Sequence, residues 1–186
     1  YAMLVDPLRY CHKTHHRALL LRRSMPELRD LISHSQRLYN RAFPGAKWRE
    51  QEKEWRFPSG ARIEFGYAEN LMDVLRYQGQ SYTWIGIDEL PQYPTPEIYN
   101  FLRSSLRSVD PDIPVYMRAT GNPGNIGSTW VREMFVEPAE AGSEGYKDFW
   151  KKLARGEYDQ RQYKRIGKGG REIWIEASYN PVFKAG

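Results

Sequence analysis

An α/β fold built on a largely parallel central sheet is what this sequence predicts. Short continuous apolar runs have the pattern of strands buried on both faces, stretches of helical spacing lie between them, and Pro or Gly breakers fall at the joins. With 186 residues, 40% hydrophobic and 14% aromatic, the chain can bury a real core and is sized for one ordinary domain.

The elements follow in order. Tyr1 to Cys11 reads as a short helix that Pro7 must kink or end early. Ala18 to Leu21, flanked by Arg17 and by Arg22 with Arg23, is the first buried strand. Ser24, Pro26 and Glu27 open a helix whose Leu28, Leu31, Ile32, Leu38 and Tyr39 share a face until Pro44 and Gly45. Glu54 to Phe65 alternates at period two around a Pro58-Ser59-Gly60 turn and reads as a β-hairpin inserted into the α/β pattern.

Glu69 to Arg76 is expected to be helical, Tyr82 to Ile87 a second buried strand, and Glu97 to Arg107 a helix. Val115 to Ala119 makes a third strand after Pro111 and Pro114, and Thr129 to Phe135 a further helix. Beyond Pro138 the composition becomes that of a surface loop, followed by a basic stretch, a Gly167-Lys168-Gly169-Gly170 turn and a last strand from Arg171 to Ala177. The expected organisation is a core over 1–140 and a basic C-terminal segment over 141–186.

Charge is distributed unevenly. Residues 1 to 50 hold ten Lys/Arg against four Asp/Glu, residues 51 to 146 eight against fourteen, and residues 147 to 171 nine against three. Basic segments can neutralise phosphates, and an acidic middle suits a metal ion or general base. Arg22-Arg23 and Lys147 to Arg171 are candidate contacts to a nucleic-acid backbone. A single cysteine excludes a disulfide framework, and no apolar run approaches a membrane span. Cys11, His12, His15 and His16 do not have the spacing of a zinc signature, and the six tryptophans read as packing residues before stacking platforms.

The chemistry converges on one sheet edge. Asp88 and Glu89 follow Trp84-Ile85-Gly86-Ile87, which places two carboxylates at the carboxyl end of a buried strand, where open α/β sheets keep their ligand crevices. That is the position of a Walker B element, whose aspartate helps hold Mg²⁺ and whose glutamate activates water. Thr120, Gly121 and Asn122 follow the next strand and fall at the same edge. Arg76 precedes the acidic strand and is a candidate to stabilise charge on a transferring phosphoryl group. Acids buried in an ion pair, or lying far from where the opening helix begins, would overturn this reading.

Five motifs in register carry a resemblance. Arg76-Tyr77-Gln78-Gly79-Gln80, Ile85 to Leu90, Arg103 to Arg107, Arg118 to Gly124, and Trp130 to Phe135 together resemble the ATPase domain of tailed-bacteriophage terminase large subunits. The match in order and spacing runs through residues 17 to 136, and Arg171 to Pro181 is similar to the segment leading to the nuclease domain.

The resemblance implies a P-loop NTPase-like fold of the ASCE type with ATP and Mg²⁺ as cofactors. It implies a homo-oligomeric ring that docks on the portal protein of a procapsid, works with a terminase small subunit in the host cell cytoplasm, and drives double-stranded DNA inward. Asp88 would bind Mg²⁺, Glu89 would activate water, Thr120, Gly121 and Asn122 would sense nucleotide and couple hydrolysis to movement, and Arg76 would be an arginine finger toward a neighbouring subunit. No membrane is implied.

Two departures qualify it. No Gly-Lys-Ser/Thr occurs in these residues, and Tyr1 to Tyr10 resembles the helix that follows the family's phosphate-binding loop. A chain starting at Tyr1 is therefore expected to hydrolyse ATP poorly, since backbone N–H groups and a lysine normally cradle the phosphates. The nuclease carboxylates are also missing, so DNA cleavage is not assigned. The rival readings are a helicase-like motor, against which Tyr77 to Gln80 and Asn122 to Gly124 argue, and a DNA-binding or assembly module with the fold but no turnover.

Overall fold

Four leucine-rich positions in a row dictate the centre of the sheet. In the computed structural model, which describes residues 1–136, 151–152, 155, 159–166 and 172–179, strand β1 (Arg17–Arg22) has its four inner residues fully buried between half-exposed arginines. It pairs in parallel with β4 (Arg62–Tyr67) on one side and β5 (Trp84–Ile87) on the other. Strand β3 (Glu54–Arg56) pairs antiparallel with β4 and β2 (Lys47–Arg49) antiparallel with β3, and β6 (Tyr116–Ala119) lies beyond β5. The order is β2-β3-β4-β1-β5-β6, a mixed six-stranded sheet.

The hairpin expected as an insertion is not one. Its turn forms as the residues demand, with Gly60 at φ +94° and its N–H bonded to Phe57 O at 2.9 Å. Its second strand, however, is β4, a central partner of β1, so the hairpin is part of the sheet itself.

Two compact units make up the chain, Tyr1–Asp88 with Glu97–Arg118, and Glu89–Pro96 with Ala119–Gly186. In the first unit, Ala18, Leu20, Ile63, Phe65, Trp55 and Trp84 form one core under α1 (Ala2–Val5) and α2 (Met25–Ala42). Pro7 ends α1 early, and the chain continues as a 3₁₀ turn over Asp6–Tyr10. Leu19 and Leu21 alternate to the opposite face. There Gly66 admits the Tyr77 ring, whose Oη would lie 2.0 Å from any Cβ at that position. The Tyr77 turn follows α3 (Leu71–Val74), started by a reciprocal Asn70–Asp73 capping box, and α3 packs against α4 (Glu97–Arg103).

His16 is sealed in this unit, 1% exposed, with Nε2 2.8 Å from Pro7 O and Nδ1 2.8 Å from Thr83 Oγ1. The neutral ring suits both, donating from Nε2 and accepting from the threonine hydroxyl. Burial, the largest cause, brings its pKa down from 6.5 to about 4. Because the unfolded chain takes up a proton near 6.5 and the folded one does not, stability is complete above that pH and falls as the pH drops toward 4. The expected loss attributable to His16 is about 3 kcal/mol. Urea midpoints measured from pH 7 to 5 check this, and His16→Asn should flatten that slope.

In the second unit, a 3₁₀ turn at Leu90–Gln92 sits against α5 (Ser128–Val131), which runs on into a wider turn over Arg132–Val136. The contacts are Gly127 N–H to Pro91 O at 2.8 Å and Trp130 Nε1–H to Tyr93 O at 2.7 Å. The last strand is present as β8 (Glu172–Tyr179). It pairs antiparallel with β7 (Asp159–Ile166), inside the stretch expected to be merely basic. The loop after Pro138 and the Gly167 to Gly170 turn lie outside the described residues. Among the described residues, no helix is long and apolar enough to cross a membrane.

Candidate functional site

The first unit supplies Asp88. Register places Leu21 beside Ile87 and joins Asp88 N–H to Leu21 O at 2.9 Å, so Arg22 and Asp88 leave adjacent parallel strands side by side at their carboxyl ends. Arg22 Nη2 and Nε lie 2.6 and 2.7 Å from Asp88 Oδ2, with side chains only 21% and 13% exposed. Arg22 also reaches Glu27 at 3.9 Å, and Ser24 Oγ donates to Glu27 at 3.0 Å, which ties the pair to the start of α2. Asp88 is thus held in a largely buried ion pair, whereas the reading from sequence needs both acids clear of one.

The second unit supplies Glu89. It adopts a left-handed backbone, φ 57° and ψ 48°, a conformation that costs an ordinary L-residue about 1 kcal/mol. Around it the Thr120 segment closes in. Thr120 O accepts Leu90 N–H at 2.7 Å, Thr120 Oγ1 accepts Glu89 N–H at 3.3 Å, and Asn122 Nδ2 donates to Glu89 Oε1 at 3.1 Å. Gly121 is required here, because a Cβ would meet Pro91 Cδ at 2.1 Å. Glu89, Thr120, Gly121 and Asn122 therefore form one hydrogen-bonded cluster.

Arg76 lies in the first unit with other partners. Its Nε donates to Asp73 O at 2.9 Å, its Nη2 is 3.5 Å from Asp73 Oδ1, and its guanidinium sits 4.7 Å from the centre of the Tyr67 ring. The side chain is 43% exposed and lines a cleft of the first unit together with Arg17, Glu54, Arg62 and Glu64.

A single carboxylate with waters and phosphate oxygens is a normal Mg²⁺ environment, so no three-ligand cluster is needed, and none occurs among the described residues. Asp88 fits such an ion in kind, as an oxygen donor at a strand end. Arg22 already occupies its Oδ2, so a cation there shares the carboxylate with the guanidinium.

Two residues of the site were missed or misassigned in sequence. Arg22 read as a backbone contact to nucleic acid, and the signal that would have placed it is the equal distance of Arg22 and Asp88 from the ends of two apolar runs. Asp6 gave no signal, yet its Oδ2 lies 2.6 Å from Arg118 Nε, in the strand that leads to Thr120. Trp55 and Trp84 are fully buried, and Trp48 packs against the same core.

No family model and no solved structure matches the chain. A stretch of 51 residues is 45% identical to the biofilm dispersion protein BdlA of Pseudomonas aeruginosa. That stretch covers 27% of this chain and 12% of that protein, too little of either to define a family.

Proposed function

We propose that this chain is the ATP-hydrolysing motor domain of a terminase large subunit, coupling hydrolysis to translocation of double-stranded DNA into a procapsid. The Arg22–Asp88 ion pair counts against the metal-site half of this reading, and the observation that carries the reading is the cluster around Glu89, whose carboxylate accepts from Asn122. A glutamate at the carboxyl end of a buried strand is held in a strained backbone by the segment that follows the neighbouring strand, and Asn122 fixes its carboxylate. Two motifs that resemble separate parts of such motors are here one hydrogen-bonded unit.

On this reading Glu89 takes the proton of the attacking water, and Asn122 holds the carboxylate in line to do so. Asn122 and Thr120 both bond the Glu89–Leu90 turn, so a change of nucleotide state felt at Asn122 would be passed to that turn. Mg²⁺ at Asp88, when bound, neutralises charge on the phosphate oxygens. Arg22 competes for the same carboxylate, so phosphate arriving near Arg22 would free Asp88. Arg76, half-exposed, is the residue this reading assigns to action on a neighbouring subunit of a ring. Portal protein, small subunit and host cytoplasm complete the proposal as its partners and setting.

The test is DNA-stimulated ATP hydrolysis by the full-length natural protein, with Glu89→Gln as the inactivating variant. A second reading, a non-hydrolysing assembly or DNA-binding module of the same fold, is favoured by the Arg22–Asp88 pair, which already balances the charge of the metal ligand. No hydrolysis by the full-length protein in any nucleotide would select it.

A further inference from the structure

Strand register assembles a feature that the hydrolysis chemistry does not use. Lys47 on β2 pairs with Arg56 on β3, Arg56 pairs with Arg62 on β4, and Arg62 pairs with Arg17 on β1. Laterally paired residues share a face of the sheet, so four cations stand in one row across four adjacent strands. At the usual strand spacing the row is about 14 Å long. It lies on the face opposite the α1 and α2 core, because its neighbours along the strands, Trp48, Trp55, Ile63 and Ala18, pack in or against that core.

Like charges directly opposite one another oppose sheet formation, so such a row needs a reason. Internal acids answer only part of it. Glu54 pairs with Arg56, and Glu64 accepts from Tyr82 Oη at 2.8 Å, with burial raising the pKa of its carboxyl group. Arg62 makes no ion pair with any described residue within 4 Å, and Arg17 spends one N–H on Gly60 O at 3.3 Å. Arg17 is pushed toward lower pKa first by burial and then by Arg62 beside it. The inner end of the row opens into a cleft of about 550 Å³ lined by Arg17, Arg62 and Arg76 and also by Glu54 and Glu64, so the outer members of the row, Lys47 and Arg56, stand outside the cleft that those acids line.

We infer that this cationic row is a docking surface for the phosphodiester backbone of nucleic acid, with successive phosphates lying along Lys47, Arg56, Arg62 and Arg17. A straight row of cations over one exposed and three half-exposed positions matches a linear polyanion, whereas a single small phosphate would need only one end of it. The motor reading suggests DNA as the partner, but the surface is independent of ATP and of Glu89.

The experiment is fluorescence anisotropy of a labelled mixed-sequence DNA duplex with the full chain, without nucleotide, across roughly 50 to 200 mM salt. Arg62→Gln should weaken binding several-fold and lower the slope of log K against log salt by about 1, and the Lys47→Gln/Arg62→Gln pair by about 2. Arg29→Gln, an exposed cation on α2 over the opposite face, should leave both unchanged. Should Arg62→Gln melt early, Lys47→Gln alone, at an exposed position, carries the test. Unchanged affinity and slope in the row variants, an equal loss in Arg29→Gln, or equal displacement of the duplex by inorganic phosphate at matched phosphate concentration each overturns the inference. So does failure of the unaltered chain to bind the duplex, an outcome that leaves ATP hydrolysis through Glu89 standing.

Discussion

Replacing Asp6 by alanine is expected to lower the unfolding free energy by about 3–5 kcal/mol, the range for breaking a buried ion pair from one side. Asp6 is 5% exposed and gathers two hydrogen bonds and two ion-pair contacts on one carboxylate. Arg9 Nε lies 3.1 Å from Oδ1, while Trp84 Nε1, Tyr116 Oη and Arg118 Nε lie 2.7, 3.1 and 2.6 Å from Oδ2. The partners come from β5 and β6 as well as from the opening turn, so the aspartate joins the N-terminal segment to two strands.

Alanine takes the counter-charge from Arg118, itself 5% exposed, and the acceptor from a fully buried indole. Asp6→Asn keeps an acceptor and removes only the charge, so it should cost clearly less. Urea denaturation of both variants checks the order. A loss below about 1 kcal/mol for alanine would mean that water or Arg118's other contacts replace the carboxylate.

Glu89→Gln is expected to reduce ATP turnover by the full-length protein by about 10²–10⁴-fold, the usual contribution of a positioned general base. Glutamine keeps the Oε1 that accepts from Asn122 at 3.1 Å, so the turn should survive and nucleotide affinity should change little. Single-turnover hydrolysis and equilibrium nucleotide binding, measured on the same preparation, separate the two quantities. Activity within tenfold of the unaltered protein would remove Glu89 from the chemistry, whatever its hydrogen bonds.

What could be read in advance follows how local the signal was. β1, β5 and β6 are announced by apolar residues that need no partner to be recognised, and α2 by Leu28, Leu31, Ile32, Leu38 and Tyr39 on one face. β2 is three residues, Lys47, Trp48 and Arg49, with a single apolar position, and it becomes a strand because β3 is beside it. β7 contains Asp159, Gln160, Arg161 and Gln162, a polar run that only its pairing with β8 makes extended.

The site divides in the same way. Glu89 and the Thr120 to Asn122 segment were legible because each ends a recognisable strand. Asp88 was located correctly but its partner was not, since an ion pair between residues 66 apart in the chain is a property of register. Asp6 lies before a proline in an ordinary-looking turn, and nothing nearby reveals that two distant strands converge on it. The cationic row is likewise invisible along the chain, because its four members come from four strands.

Lys53 and Glu89 are the two non-glycine residues with positive φ among the described residues. At position 89, glycine or asparagine would relax the backbone, while glutamate resists it. Selection for thermal resilience alone would therefore erode this position. On the motor reading, laboratory evolution under heat, without a catalytic screen, would drift toward sturdier molecules without the glutamate proposed as proton acceptor.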